Sequence, residues 1–187
     1  MTKGDKAAEL KKVERNLKKI KGKFKLASKT VAGEGNPNAK IMLLGEAPGQ
    51  MEDKIGKPFV GRAGRKLNEL LKIAGIIREK VFITGTVKFY PGTRAPNKKE
   101  IALCLPFTLR QIEIIKPKLI VLLGNVALNA LIDKKLQMSK VHGKIFKREN
   151  KIYFPTFHPA AAMRFQKIMK QTEKDFRKLK ILAKKFS

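Results

Sequence analysis

Cysteine is the scarcest informative residue in this chain of 187 residues: there is one, Cys104. One thiol rules out an internal disulfide and any metal site built on several cysteines, and it suits a reducing compartment. Acidic residues are also few, with Asp and Glu numbering 15 against 43 Lys and Arg, a formal charge of +28. A compact body with that excess repels itself, and the usual reason for carrying it is a polyanionic partner. The lysine-rich surface of proteins from hot environments raises Lys and Glu together. Here Lys rises without Glu, which favours nucleic acid. Long apolar runs are missing too. Stretches such as Leu119-Ile120-Val121-Leu122-Leu123 are far too short to cross a bilayer. Met1 to Lys25 is lysine-rich, with no apolar run of the signal-peptide kind. The expectation is a soluble protein of the cytoplasm, nucleoid-associated, monomeric and free of membrane contact. No internal repeat and no linker interrupts the chain, so residues 1–187 are expected to form one domain with basic helices at both ends.

What is present alternates. Leu10, Val13, Leu17 and Ile20 put one apolar face on a helix spanning Ala7 to Ile20. Gly33 to Asn38 reads as a turn cluster. Ile41 to Leu44 reads as a buried strand, followed by a long loop from Gly45 to Gly64 and a helix from Arg65 to Ala74, closed by Gly75. Val81 to Thr84 is a second strand, Tyr90 to Asn97 a loop, and Lys98 to Lys116 a helix that stops before Pro117. Leu119 to Leu123 is a third strand, with Asn125 expected to cap a short helix running through Ile132. Lys144–Lys147 and Lys151–Phe154 are spaced as a hairpin around Glu149-Asn150, and a basic helix is expected from about Ala161 to Lys185. Strands alternating with helices imply a mostly parallel sheet covered on both faces. In such a sheet Glu46, Gly85, Gly124 and His158, each at a strand's end, share one rim, where open α/β sheets bind ligands.

Two segments on that rim carry candidate chemistry. Gly45-Glu46-Ala47-Pro48-Gly49 places a carboxylate directly after a strand. Beside a polyanion it suits orienting a water, acting as a general base, or stabilising a cationic transition state; a helix cap or a lysine salt bridge is the plainer use. Phe157-His158-Pro159-Ala160 places one of only two histidines before a proline, which restricts its backbone and suits the imidazole to stabilising a leaving group. His142, in a basic loop, is a weaker candidate for a phosphate contact. Phe59, between Pro58 and Val60, fits either core packing or a stacking platform for a base. Gly56-Lys57-Pro58 lacks the Ser or Thr and the spacing of a phosphate-binding loop. Lys54, Lys57, Arg62, Arg164 and Lys167 are the candidate contacts to a nucleic-acid backbone.

Taken together, Gly33 to Pro37, Gly45 to Gly49 with Glu52-Asp53, Gly56 to Gly61, and Phe157 to Ala160 resemble the family-four uracil-DNA glycosylases, the thermostable type of archaea and bacteria. The likeness runs from about Val13 to the C-terminal helix. It implies a three-layer αβα sandwich with a central, mostly parallel four-stranded sheet. It implies a monofunctional DNA glycosylase that hydrolyses the N-glycosidic bond of uracil or another deaminated base and so initiates base excision repair. By the same resemblance Glu46 and His158 are the catalytic pair, Phe59 stacks the base, and Gly45, Ala47 and Gly85 line its pocket. A catalytically weak paralogue that recognises damaged or abasic DNA is the alternative, disfavoured because Glu46 and His158 are both present. An RNA-binding structural protein rests on charge alone. A sliding clamp is a conceivable partner, but neither end shows a clean clamp-binding motif.

The chain departs from that pattern twice. The family usually holds an iron–sulfur cluster on four cysteines, whereas Leu17, Ile20 and Phe89 stand at the first three positions and only Cys104 remains. No cofactor or metal is expected, and a small apolar cluster is expected in that place. Ile83-Thr84-Gly85 replaces the family's Ile-Thr-Asn, whose amide reads the base. Loss of that side chain is expected to open volume for a larger base such as hypoxanthine, or for a water, unless Asn97 or Asn125 reaches in instead.

Overall fold

The computed structural model describes residues 2–186. Its centre is a sheet of six strands in the order β1 (Glu34–Gly35), β3 (Phe82–Gly85), β2 (Ile41–Gly45), β4 (Leu119–Leu123), β6 (Lys151–Thr156), β5 (Phe146–Arg148). β2, β3, β4 and β6 run parallel. The expected four strands are therefore the parallel core of a larger sheet. β1, inside the predicted turn cluster, adds antiparallel to β3, and β5 forms the antiparallel hairpin with β6.

Alternation along the strands sorts the two layers. Ile41, Leu43, Val121, Leu123 and Phe154 face α3 (Arg62–Ile73) and α8 (Gln166–Ala183) through Leu67, Leu71, Phe176 and Leu179. Met42, Leu44, Ile120 and Leu122 face the opposite way, against α4 (Lys98–Ile115), α5 (Asn125–Leu131) and α6 (Met138–Val141). Both faces are covered, which is why the strands read as unbroken apolar runs. α1 (Lys3–Ile20) lies outside this sandwich and packs on α4 through Val13, Leu17 and Ile114.

Capping explains several helix ends. Asn97 Oδ1 accepts the Glu100 amide and Glu100 accepts that of Asn97, a reciprocal cap that starts α4. Lys116 ends α4 in the left-handed conformation, before Pro117. Three expectations are corrected. The loop from Gly45 to Gly64 contains α2 (Gln50–Ile55), begun where Glu52 accepts the Gly49 amide and ended by Gly56 at φ 86°. Asn125 does not cap α5: Gly124 holds that position, and Asn125 Oδ1 accepts the Met138 amide, tying α5 to α6. The C-terminal helix is two helices, α7 (Pro159–Arg164) and α8, broken at the extended residue Phe165.

Leu17, Phe89 and Cys104 are wholly buried in one apolar cluster, with Ile20 packed against it and the Phe24 and Phe89 rings stacked 4.3 Å apart. The expected apolar cluster is thus in place. Three apolar side chains and one thiol do not fit an iron–sulfur group, which needs thiolate ligands around the metal. Among the described residues no group of three or more His, Cys, Asp or Glu is arranged to hold a metal ion.

Candidate active site

The parallel strands deliver their C-terminal ends to one cavity of about 430 Å³, walled by Glu46, Ala47, Phe59, Gly85, His158 and Arg164 among others. Glu46 and His158 arrive from the ends of β2 and β6, on opposite sides of β4 in the sheet. Burial among these walls raises the Glu46 carboxyl above its usual range, as desolvation of a charged group requires. Val87 N–H donates to the Glu46 carbonyl at 2.9 Å, so the backbone of Glu46 is tied to the segment after β3.

His158 is held by its own helix. It is the N-cap of α7, and its Nδ1 accepts the Ala160 amide at 3.2 Å. An Nδ1 that accepts leaves the proton on Nε2. Enclosure lowers the imidazole to about 4, with the Glu52 charge acting weakly the other way. At neutral pH His158 is therefore an uncharged Nε2–H donor. Gly124, at φ 96°, makes room for it: a Cβ there would lie 3.2 Å from the Cβ of His158.

Phe59 lies 5.7 Å from His158 between ring centroids, with the planes 30° apart. It is partly buried and packs on the core, as the core-packing reading expects, and it also walls the cavity. Gly45 serves the ring rather than the cavity. A Cβ at Gly45 would sit 2.7 Å from the Phe59 ring, so only glycine lets the ring lie across the end of β2. Ala47 walls the cavity and also packs on the apolar cluster behind it.

Gly85 does wall the cavity, but it does not open volume as expected. A Cβ built there points at the Val87 carbonyl oxygen, 2.6 Å away, with the Glu46 carbonyl at 3.5 Å. The chain's own turn fills the space. Neither Asn97, which caps α4, nor Asn125, which holds α6, is among the cavity residues. Directly behind Gly85 stands Lys88, fully buried. Its Nζ donates to Thr84 Oγ1 at 2.5 Å, Gly85 O at 2.6 Å and Gln111 Oε1 at 2.7 Å. Burial pushes this ammonium down to about 7, with the Cys104 thiol acting weakly upward.

Lys54, Lys57, Arg62, Arg164 and Lys167 are all exposed; of these Arg164 also walls the cavity. His142 is not a free phosphate ligand. Its Nδ1 meets both carboxylate oxygens of the buried Asp175 at 3.0 and 3.1 Å, and its ring lies against Phe157. Asp53 is likewise structural, accepting the amides of Ser28 and Lys29. Sequence reasoning did not single out Arg94 or Phe165, which also wall the cavity. Arg94 sits in a loop with no periodicity to place it, and Phe165 at a break inside what the sequence reads as one helix.

The chain is similar to known proteins. The profile described as the uracil DNA glycosylase superfamily fits residues 32–180, and the chain belongs to that superfamily. Several of its relatives are type-4 uracil-DNA glycosylases, and others are of type 5. The type-4 uracil-DNA glycosylase of Sulfurisphaera tokodaii is 44% identical over 170 residues, covering 86% of this chain and 77% of that protein. That of Saccharolobus solfataricus is 46% identical over 168 residues, covering 84% and 77%. That of Thermotoga maritima is 49% identical over 137 residues, covering 72% and 71%.

Proposed function

We propose that this protein excises uracil, or another deaminated base, from DNA by hydrolysing the N-glycosidic bond, and that Glu46 and His158 carry the reaction. The observation that carries the reading is one cavity walled by a carboxylate, a neutral imidazole donor and an aromatic face, in a chain related to uracil-DNA glycosylases.

A base inside the duplex must leave the stack to be attacked, and stacking on Phe59 offsets part of that cost. The bond from C1′ to the base nitrogen then breaks through an oxocarbenium-like state. The electron pair leaves with the base, and His158 Nε2–H stabilises the negative charge developing on it. A neutral donor suits this role, since it keeps its proton while it strengthens the hydrogen bond. Glu46 stabilises the cationic sugar and orients the water whose oxygen bonds to C1′; the water's proton passes to the carboxylate. The exposed cations from α2 to α3 and from α7 to α8 supply the backbone-phosphate attraction that +28 implies. Its place of work is the compartment that holds the DNA, the cytoplasm, where it acts as a monomer.

The deciding measurement is single-turnover excision on DNA carrying uracil, hypoxanthine or xanthine, followed by alkaline strand cleavage. Glu46→Gln and His158→Ala should each lose excision by ~10²–10³ while binding undamaged DNA as before. Wild-type turnover in either variant removes that residue from the reaction. An inactive parent protein on all three bases refutes the reading as a whole.

A further inference from the structure

We propose that Arg78 and Glu52 are positioning residues that hold Phe59 as a ready-made stacking face by gripping the backbone on either side of it. The inference rests on the reading of Phe59 as the base-stacking residue.

Phe59 sits at φ 52°. A bulky side chain in the left-handed region is a genuine outlier, and it persists where its surroundings leave no alternative. The surroundings here are specific. On the carbonyl side, Arg78 Nη2 donates to Pro58 O at 3.0 Å and Phe59 O at 3.4 Å. On the amide side, Glu52 Oε1 accepts from Val60 N at 3.0 Å and Gly61 N at 2.8 Å, while its Oε2 accepts from Gly49 N at 3.1 Å. Four consecutive residues, from Pro58 to Gly61, are thus held by one guanidinium and one carboxylate. The first turn of α3 closes the third side: a Cβ at Gly64 would lie 1.9 Å from the Phe59 oxygen.

Neither charged group is free for another task. The remaining Arg78 bonds run to Asn68 Oδ1 at 2.9 Å and Glu34 Oε1 at 3.4 Å, so its fork is committed to protein acceptors rather than to phosphate. Both Glu52 oxygens are taken by amides, which separates it from Glu46 although both wall the cavity. A planar guanidinium suits two neighbouring carbonyls in a way that a lysine ammonium does not. The arrangement fixes the ring above Gly45 before any base arrives, so binding does not have to order it.

The test is a double-mutant cycle on single-turnover excision of uracil from DNA, using the full chain. Phe59→Ala should slow excision by about 5- to 150-fold, the range of one lost stacking contact. Arg78→Met should slow it by roughly 5-fold or more on the same grounds, with affinity for undamaged duplex and its salt dependence unchanged. In the Phe59→Ala background, Arg78→Met should cost less than about 2-fold, because the element it holds is gone. Equal losses in both backgrounds overturn the inference, since Arg78 would then act on folding or on DNA directly. A Phe59→Ala variant as fast as wild type overturns the stacking reading itself, and the inference with it. Should Arg78→Met melt below the assay temperature, Asn68→Ala keeps the cycle readable. It removes one acceptor of the guanidinium at an exposed position, and its smaller loss must likewise vanish without Phe59.

Discussion

Replacing Gly85 is the perturbation for which the structure reverses what the sequence leads one to expect. An asparagine at this position would be expected to fill a vacancy and sharpen the choice of uracil. The built Cβ instead lies 2.6 Å from the Val87 carbonyl oxygen, so the turn after β3 would have to retreat by about 0.8 Å to reach ordinary contact. That turn is tied down. Thr86 donates twice to Gly45 O, at 2.9 Å from its amide and 2.8 Å from its hydroxyl, and Val87 N–H donates to Glu46 O. Val31 N–H donates to Lys88 O at 2.8 Å, holding its far side. Overpacking of this kind costs about 1–3 kcal/mol. At about 2–4 °C per kcal/mol for a domain of this size, Gly85→Ala should lower Tm by roughly 2–12 °C. Excision should fall as well, because the displaced turn draws the Glu46 backbone with it. Gly85→Asn should do the same and gain no preference for uracil over hypoxanthine. A thermal melt and parallel excision assays on the two bases suffice. A Gly85→Asn protein that melts like wild type and discriminates more sharply would show that the turn yields, and the packing argument would be wrong.

The remaining predictions test other parts of the account. His158 titrates near 4 when folded and near 6.5 when unfolded; a lowered native value means the unfolded chain takes up the proton first, so its contribution to stability is whole above 6.5, is lost as pH falls toward 4, and is constant below. Tm of wild type should therefore fall more steeply between pH 6.5 and 4 than Tm of His158→Ala; parallel curves would contradict the buried neutral imidazole. Protein purified without oxygen should contain no stoichiometric iron, and Cys104→Ala should keep excision activity, whereas Cys104→Ser should lose about 1–3 kcal/mol by burying a hydroxyl in the apolar cluster; bound iron would require ligands other than these. Binding to undamaged DNA should weaken steeply with salt, each neutralised phosphate adding about −0.9 to the log–log slope, and Arg164→Ala or Lys167→Ala should each make the slope shallower by about that amount; a flat salt dependence would remove the phosphate contacts.

Most of the fold is legible in the sequence, because its parallel strands are buried on both faces and leave unbroken apolar runs between helical periods. The strand ends placed Glu46 and His158 on one rim by topology alone. What stayed hidden depends on tertiary contact. β1 is two residues long and has no pattern to find. The break at Phe165 involves neither glycine nor proline, so nothing local marks it. Helix α2 did leave a trace, a glycine at each end and Glu52 three residues after the first, masked by the expectation of a loop. The space beside Gly85 could not be judged without knowing where the Val87 carbonyl points.

The buried ammonium of Lys88 joins two parts of the molecule that the sequence keeps apart. Thr84 and Gly85 belong to the strand end that walls the cavity, while Gln111 belongs to α4, the same helix that carries Cys104 into the apolar cluster. Gln111 Nε2 extends the bridge to Ala32 O at 2.7 Å. A buried polar group is costly unless each of its donors is satisfied, so this nitrogen ties α4 to the cavity wall. The apolar cluster of Leu17, Phe24, Phe89 and Cys104 and the wall of the cavity are thereby joined through a single helix and a single buried nitrogen.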